Sequence, residues 1–162
     1  MKKMICCVFV LLFGTVSHVN AKPFPVLKSY VVNGIVIGDG LSNQEIQKRL
    51  GKPARVEKIR NECAEATYTY YYYPSLTLID RGAGFQLNEI FFSNSKNQLH
   101  LSSLIVDANT AEDAIKKLGV VNESAEKGIK TYRLEDSNDP SAWIFDFKEK
   151  RLNRVSFFSD DC

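Results

Sequence analysis

Apolar and aromatic residues in the body of this chain fall into short runs set off by turn residues, the pattern of a strand-rich fold rather than of long helices. Six runs stand out: residues 67–73, Leu76–Asp80, 85–92, 130–135, 142–148 and 152–158. Pro74-Ser75 and the stretches 80–84, 136–140 and 148–150 separate them as turns. Two shorter β-branched runs, Ile35-Val36-Ile37 and Leu104-Ile105-Val106, each lead through a few turn residues into a helical segment.

The two helical segments align with one another. Residues 42–51 run from Ser42 through Glu45 to Lys48-Arg49-Leu50-Gly51, and residues 110–119 run from Thr110 through Asp113 to Lys116-Lys117-Leu118-Gly119. Each opens on a hydroxyl residue suited to an N-cap, with an acid three positions on. Each closes on cations and a glycine, as a helix C-terminus prefers. The parallel continues downstream, where Leu87-Asn88-Glu89-Ile90 echoes Leu152-Asn153-Arg154-Val155. The interval from the helix-ending glycine to that motif is 36 residues in one copy and 33 in the other. The expected fold is therefore α+β: two tandem units, about 30–100 and 101–162, each a strand, a short helix and three strands. Side by side they would form one antiparallel sheet with the helices on one face. The other face would be left to solvent or to a partner.

Tyr68, Tyr70, Tyr71, Tyr72 and Tyr73 crowd into one predicted strand. At a period of two, Tyr68, Tyr70 and Tyr72 share one face, and Tyr71 and Tyr73 the other. Trp143, Phe145 and Phe147 likewise share a face in the second copy. One reading is that these aromatics fill the core, since aromatics suit strands. The other is that part of them forms a recognition surface, because Tyr and Trp concentrate binding energy at interfaces. These six residues, the five tyrosines and Trp143, are the candidate protein-binding positions.

The N-terminus changes what counts as the working chain. Lys2-Lys3 is followed by an apolar stretch from Met4 to Gly14 and by Val19-Asn20-Ala21, with small or compact residues at both ends. That is the layout of a signal peptide, residues 1–21, cleaved after Ala21 to leave a single domain of residues 22–162. The apolar stretch is too short to span a bilayer, and no cysteine stands at the cleavage point for a lipid anchor. The expected location is periplasmic or secreted, without a membrane anchor. Of 21 Lys plus Arg, two leave with the signal, so 19 bases remain against 19 acids. A formally neutral chain gives no electrostatic footprint for nucleic acid.

Two cysteines, Cys63 and Cys162, remain after cleavage. In an oxidising compartment they form a natural pair. Closing a loop of about 100 residues would contribute roughly 4–5 kcal/mol on the chain-entropy account. Free thiols or a redox pair are the alternatives, though a redox pair is usually spaced Cys-x-x-Cys.

Catalytic chemistry finds little purchase. His100 is the one histidine of the mature chain, and it reads as solvent-facing or at a loop edge. Ser124-Ala125-Glu126-Lys127 matches a Ser-x-x-Lys dyad but lacks its companion motifs and reads as a polar loop. Asp136, Asn138 and Asp139 gather like calcium ligands, yet Pro140 follows where glycine would be needed. No metal or cofactor is expected.

Ile37-Gly38-Asp39-Gly40-Leu41-Ser42 followed by Leu50-Gly51-Lys52-Pro53 resembles the opening of modules in the β-lactamase-inhibitor-protein and outer-membrane assembly lipoprotein (SmpA/OmlA-like) superfamily. There a capped helix ending in Leu-Gly-x-Pro leads into a meander. The tandem arrangement is more similar to the inhibitor protein than to the single-module lipoprotein. The second copy departs from the pattern, with Val121 where the first has Pro53. The resemblance implies a protein-binding module. The leading expectation is a non-enzymatic inhibitor or immunity-type protein whose partner is a protein, such as an enzyme or toxin. An envelope-assembly accessory protein and a hydrolase working through carboxylates alone stand as alternatives.

Overall fold

A computed structural model describes residues 30–38, 41–82, 84–92, 96–101, 104–120, 122–136 and 139–159. The expected signal segment with its cleavage site, and Cys162, lie outside the described residues. Among the described residues the chain is α+β and mostly antiparallel sheet, with two short helices.

Its elements run in order β1 (Tyr30–Val32), β2 (Ile35–Ile37), α1 (Asn43–Leu50), β3 (Arg55–Asn61), β4 (Ala66–Tyr73), β5 (Leu76–Asp80) and β6 (Phe85–Phe91). Then follow β7 (Leu99–Leu101), β8 (Leu104–Val106), α2 (Glu112–Lys116), β9 (Asn122–Glu126), β10 (Ile129–Asp136), β11 (Asp139–Lys148) and β12 (Arg151–Phe158). They form two sheets rather than the one expected: a four-stranded sheet of order β2-β1-β7-β8 and an eight-stranded sheet of order β3-β4-β5-β6-β12-β11-β10-β9. Either order reads as a palindrome of the element order, with β1 against β7 in the small sheet and β6 against β12 in the large one.

The six expected meander strands are all present, within three residues at their ends. Four strands were not anticipated. β1 pairs with β2 across Asn33-Gly34, whose positive φ values of 52° and 78° suit the tight Asn-Gly hairpin turn. β7 pairs with β8 and with β1. β3 and β9 carry exposed charge on both faces, because each is an outermost strand of the large sheet. Without an alternating apolar face they leave no strand signature. Ser124-Ala125-Glu126 accordingly lies on β9, not in a loop.

The helix ends follow their local chemistry. Ser42 caps α1 and forms a capping box with Glu45, and Gly51 closes it at a φ of 80°. The second helix departs from expectation. Ala111 occupies its N-cap without a side-chain bond, and Thr110 instead accepts the Asp107 N–H at 2.8 Å in the preceding turn. Lacking a cap, α2 is five residues long against eight for α1.

One core cluster lies between the two layers. The large sheet contributes Tyr71, Leu76, Leu78, Phe85, Leu87, Ile90, Tyr132, Leu134, Trp143, Phe145, Phe147, Leu152 and Val155. The small sheet and the helices contribute Tyr30, Val32, Ile35, Ile37, Leu99, Leu101, Val106, Ile46 and Ile115 from the other side. Tyr30 packs edge-on against Trp143 at 5.0 Å, and its hydroxyl accepts the Leu87 N–H beside a β-bulge. Burial pushes the Tyr30 phenol well above its ordinary range. Asn97 ties the layers together, donating to the carbonyls of Ser75 and Phe91 at 3.1 and 2.9 Å and accepting from Asn33 at 2.8 Å.

Candidate protein-binding surface

The face of the large sheet turned away from the helices is set by strand register. Tyr68, Tyr70 and Tyr72 of β4 stand opposite Ile59, Glu57 and Arg55 of β3, and Tyr70 and Tyr72 stand opposite Ile79 and Thr77 of β5. Of these, no side chain belongs to the core cluster, although Tyr68, Thr77 and Ile79 are themselves buried. This is the outer face, and it resolves the two alternating sets of tyrosines. Tyr71 belongs to the core, 5.1 Å from Phe85, with its hydroxyl accepting from Asn43 of α1. Tyr73 packs against the same cluster.

On the outer face the tyrosine side chains are held by their neighbours. The rings of Tyr70 and Tyr72 stack at 6.3 Å with 20° between their planes, as residues two apart on a strand can. The Arg55 guanidinium lies 4.0 Å from the Tyr72 ring centroid and pairs with Glu57 at 3.3 Å. Burial, then a hydrogen bond to Glu57, raises the Tyr72 phenol above its ordinary value. Tyr68 is 7% exposed beneath Arg81, whose guanidinium lies 5.1 Å from its ring. Tyr70 and Tyr72 are half-buried, and Ile59 beside Tyr68 is 44% exposed. Because stacking and the cation–π contact already fix these rotamers, a partner meeting them would lose little further side-chain entropy.

Toward the middle of the same face the chemistry turns polar. Thr77 of β5 donates to Glu89 of β6 at 3.3 Å, and Arg154 of β12 lies 3.7 Å from Glu89 and 2.6 Å from Asp146 of β11. Thr131 of β10 donates to the second Asp146 oxygen at 2.8 Å. The row crosses five strands and both halves of the sheet. It brings two carboxylates onto one guanidinium, Asp146 hydrogen-bonded by Arg154 and Thr131 and Glu89 by Thr77, an arrangement that favours rigidity. Beyond it Arg133 lies 5.3 Å from the ring of Phe158.

Trp143 is not part of this surface. It is 4% exposed and packs in the core between Tyr30 and Phe157, because the alternation of β11 points Trp143, Phe145 and Phe147 together toward the helix side. The candidate set accordingly contracts to Tyr70 and Tyr72, with Tyr68 buried on the same face, and gains Arg55, Arg81 and Ile59. Those three were invisible in sequence, since β3 carries no strand signature and Arg81 follows a strand end.

A second polar cluster lies on the helix side. Tyr132 donates to Glu112 of α2 at 2.6 Å, Lys130 reaches Glu112 at 3.1 Å and Glu123 at 2.9 Å, and Lys116 reaches Glu123 at 3.8 Å. The Tyr132 hydrogen bond and then the lysines hold the Glu112 carboxyl below its ordinary range, while hydrogen bonds with Tyr132, Glu123 and Glu112 raise the pKa of Lys130. A shallow hollow of about 350 Å³ beside it is lined by Lys116, Val120, Asn122 and Glu123. Every charge there is already paired, so the cluster fastens α2 to the sheet.

His100 sits mid-strand in β7, half-exposed and opposite Val31 and Ile105. Among the described residues no group of three or more His, Cys, Asp or Glu is placed to hold a metal ion. No described helix is long and apolar enough to cross a membrane. Cys63 lies in the turn between β3 and β4, its N–H donated to Asn61 at 3.0 Å. Comparison with protein families, curated proteins and solved structures finds no match to the chain.

Proposed function

We propose that this is an exported, non-enzymatic protein-binding module of the inhibitor or immunity type, engaging a protein partner through the tyrosine end of its outer sheet face. The observation that carries the reading is the Arg55–Tyr72–Tyr70 stack. It is a half-buried, pre-ordered aromatic group on a face that neither helix covers. Such groups, rimmed by Arg and by exposed aliphatic side chains like Ile59, match the composition of binding hot spots. The resemblance to the inhibitor-protein superfamily points the same way.

The module is a tandem of two units, β1 to β6 and β7 to β12. The palindromic strand orders support this, as do the matched buried helix residues Ile46 and Ile115. The shared Leu-Asn-x-Ile/Val motif adds to it: Leu87 and Ile90, like Leu152 and Val155, are core residues three apart, each pair spanning a bulge. Residues 1–21 are removed on export to the periplasm or beyond, and Cys63 bridges Cys162 there.

Binding to a candidate partner tests the reading. Tyr70→Ala and Tyr72→Ala should each weaken it at least thirtyfold with folding retained; unchanged affinity in both would overturn it.

A further inference from the structure

Among the described residues the eight-stranded sheet ends in two strands that each have a neighbour on one side only, β3 and β9. All five residues of β9 are exposed, and so are Arg55, Val56, Lys58, Ile59 and Arg60 of β3. Their charges are of opposite sign. β3 carries three bases and one acid, a net +2, while the strand residues of β9 include Glu123 and Glu126 and no base, a net −2, with Lys130 and Lys116 already against Glu123 and Lys127 against Glu126. Charge is a usual guard against edge-to-edge pairing, but opposite net charge on the two edges guards selectively. It rejects β3 on β3 and β9 on β9, and attracts β3 to β9.

We propose that the protein associates with itself head to tail, β3 of one copy pairing antiparallel with β9 of the next. Geometry permits it. Every neighbouring pair in the sheet is antiparallel, so across eight strands β3 and β9 run in opposite directions. A copy set alongside therefore continues the alternation. One register places Lys58 opposite Glu123, Arg55 opposite Glu126, Val56 opposite Ala125 and Glu57 opposite Ser124. The faces agree as well. Val56 and Lys58 stand opposite Tyr71 and Thr69 on the helix side of β4, and Glu123 and Ala125 stand opposite Tyr132 and Lys130 on the helix side of β10. Each cross-strand pair thus meets on one face. Val56 and Ile59, 50% and 44% exposed, are large apolar side chains that this pairing would cover. Because the contact joins two different edges, each end of a complex keeps one edge free, and growth does not stop at a dimer.

Sedimentation velocity of the purified protein over a concentration series tests this independently of any partner. The wild type should show mass that rises with concentration past a dimer and falls with added salt. Lys58→Glu alone and Glu123→Lys alone should each weaken association at least tenfold, and an equimolar mixture of the two should restore it. If Glu123→Lys perturbs folding, Glu126→Lys, whose native side chain is 81% exposed, serves in its place for the single-variant loss. A wild type that stays monomeric at every attainable concentration overturns the proposal. So do a plateau at the dimer, variants that associate like the wild type, and a mixture that fails to restore association.

Discussion

In β4 the side chains of Tyr70 and Tyr71 leave the strand in opposite directions, one to stack on Tyr72 and the other to pack against Phe85 at 5.1 Å. Truncating them should therefore separate stability from binding. Tyr71→Ala opens a cavity in the core and should cost about 3–5 kcal/mol in urea unfolding. Tyr70→Ala removes a half-buried side chain from the outer face and should cost no more than about 1 kcal/mol. Equal losses would mean that the outer face is itself covered. The alternation that puts Tyr68, Tyr70 and Tyr72 together was legible in the sequence. Which set faced inward was not, because both faces of the strand carry tyrosines and the decision rests with Phe85 and α1. The same blindness attached to Trp143, whose burial depends on Tyr30, a residue of the hairpin that the pattern did not reveal.

The two helices show how local chemistry sets the strength of an element. With its capping box α1 holds eight residues, and Ser42→Ala should destabilise the protein by about 1 kcal/mol in thermal or urea unfolding. The uncapped α2 depends instead on Glu112, which binds Tyr132 and Lys130 across to β10. Those partners lower the carboxyl's pKa in the folded state, so its contribution is present above the ordinary carboxylate range and is lost as pH falls below it. Stability measured from pH 6 downward should decline on this account, and Glu112→Gln should make the decline shallower; an identical acid limb would assign the loss to other groups. Ser42 and Gly51 made α1 readable, whereas α2 is bounded by Ala111 and Lys117 rather than by the expected Thr110 and Gly119, and the alignment slipped by one residue at the helix starts. It was anchored on Leu50-Gly51 and Leu118-Gly119, whereas the buried positions are Ile46 and Ile115. The strands show the complementary limit. Buried β5 was readable to the residue, while β9, Asn-Glu-Ser-Ala-Glu, has no apolar side chain larger than alanine by which to announce itself.

At the scale of the whole molecule, the α+β class and the order of the eight expected strands and two helices were legible, and the division into two sheets was not. Three-residue strands such as β1 and β7 are held by their partners rather than by their own propensity. The proposed Cys63–Cys162 bridge would tie the β3–β4 turn to the C-terminus. Peptide mapping without reductant should recover the two cysteines in one linked fragment, and reduction should lower stability by up to roughly 4–5 kcal/mol. Recovery of both as free thiols from an oxidising compartment would remove that tie. The central claim, a binding surface at the tyrosine end of the outer face, is tested most directly by capture of partners from an envelope extract on immobilised wild-type protein and on the folded Tyr70→Ala/Tyr72→Ala variant in parallel. The prediction is a protein retained in stoichiometric amount by the wild type and released by the variant, with a loss of at least thirtyfold in affinity once that protein is purified. Equal retention by both proteins, or nothing retained by the wild type above a blank surface, would contradict it.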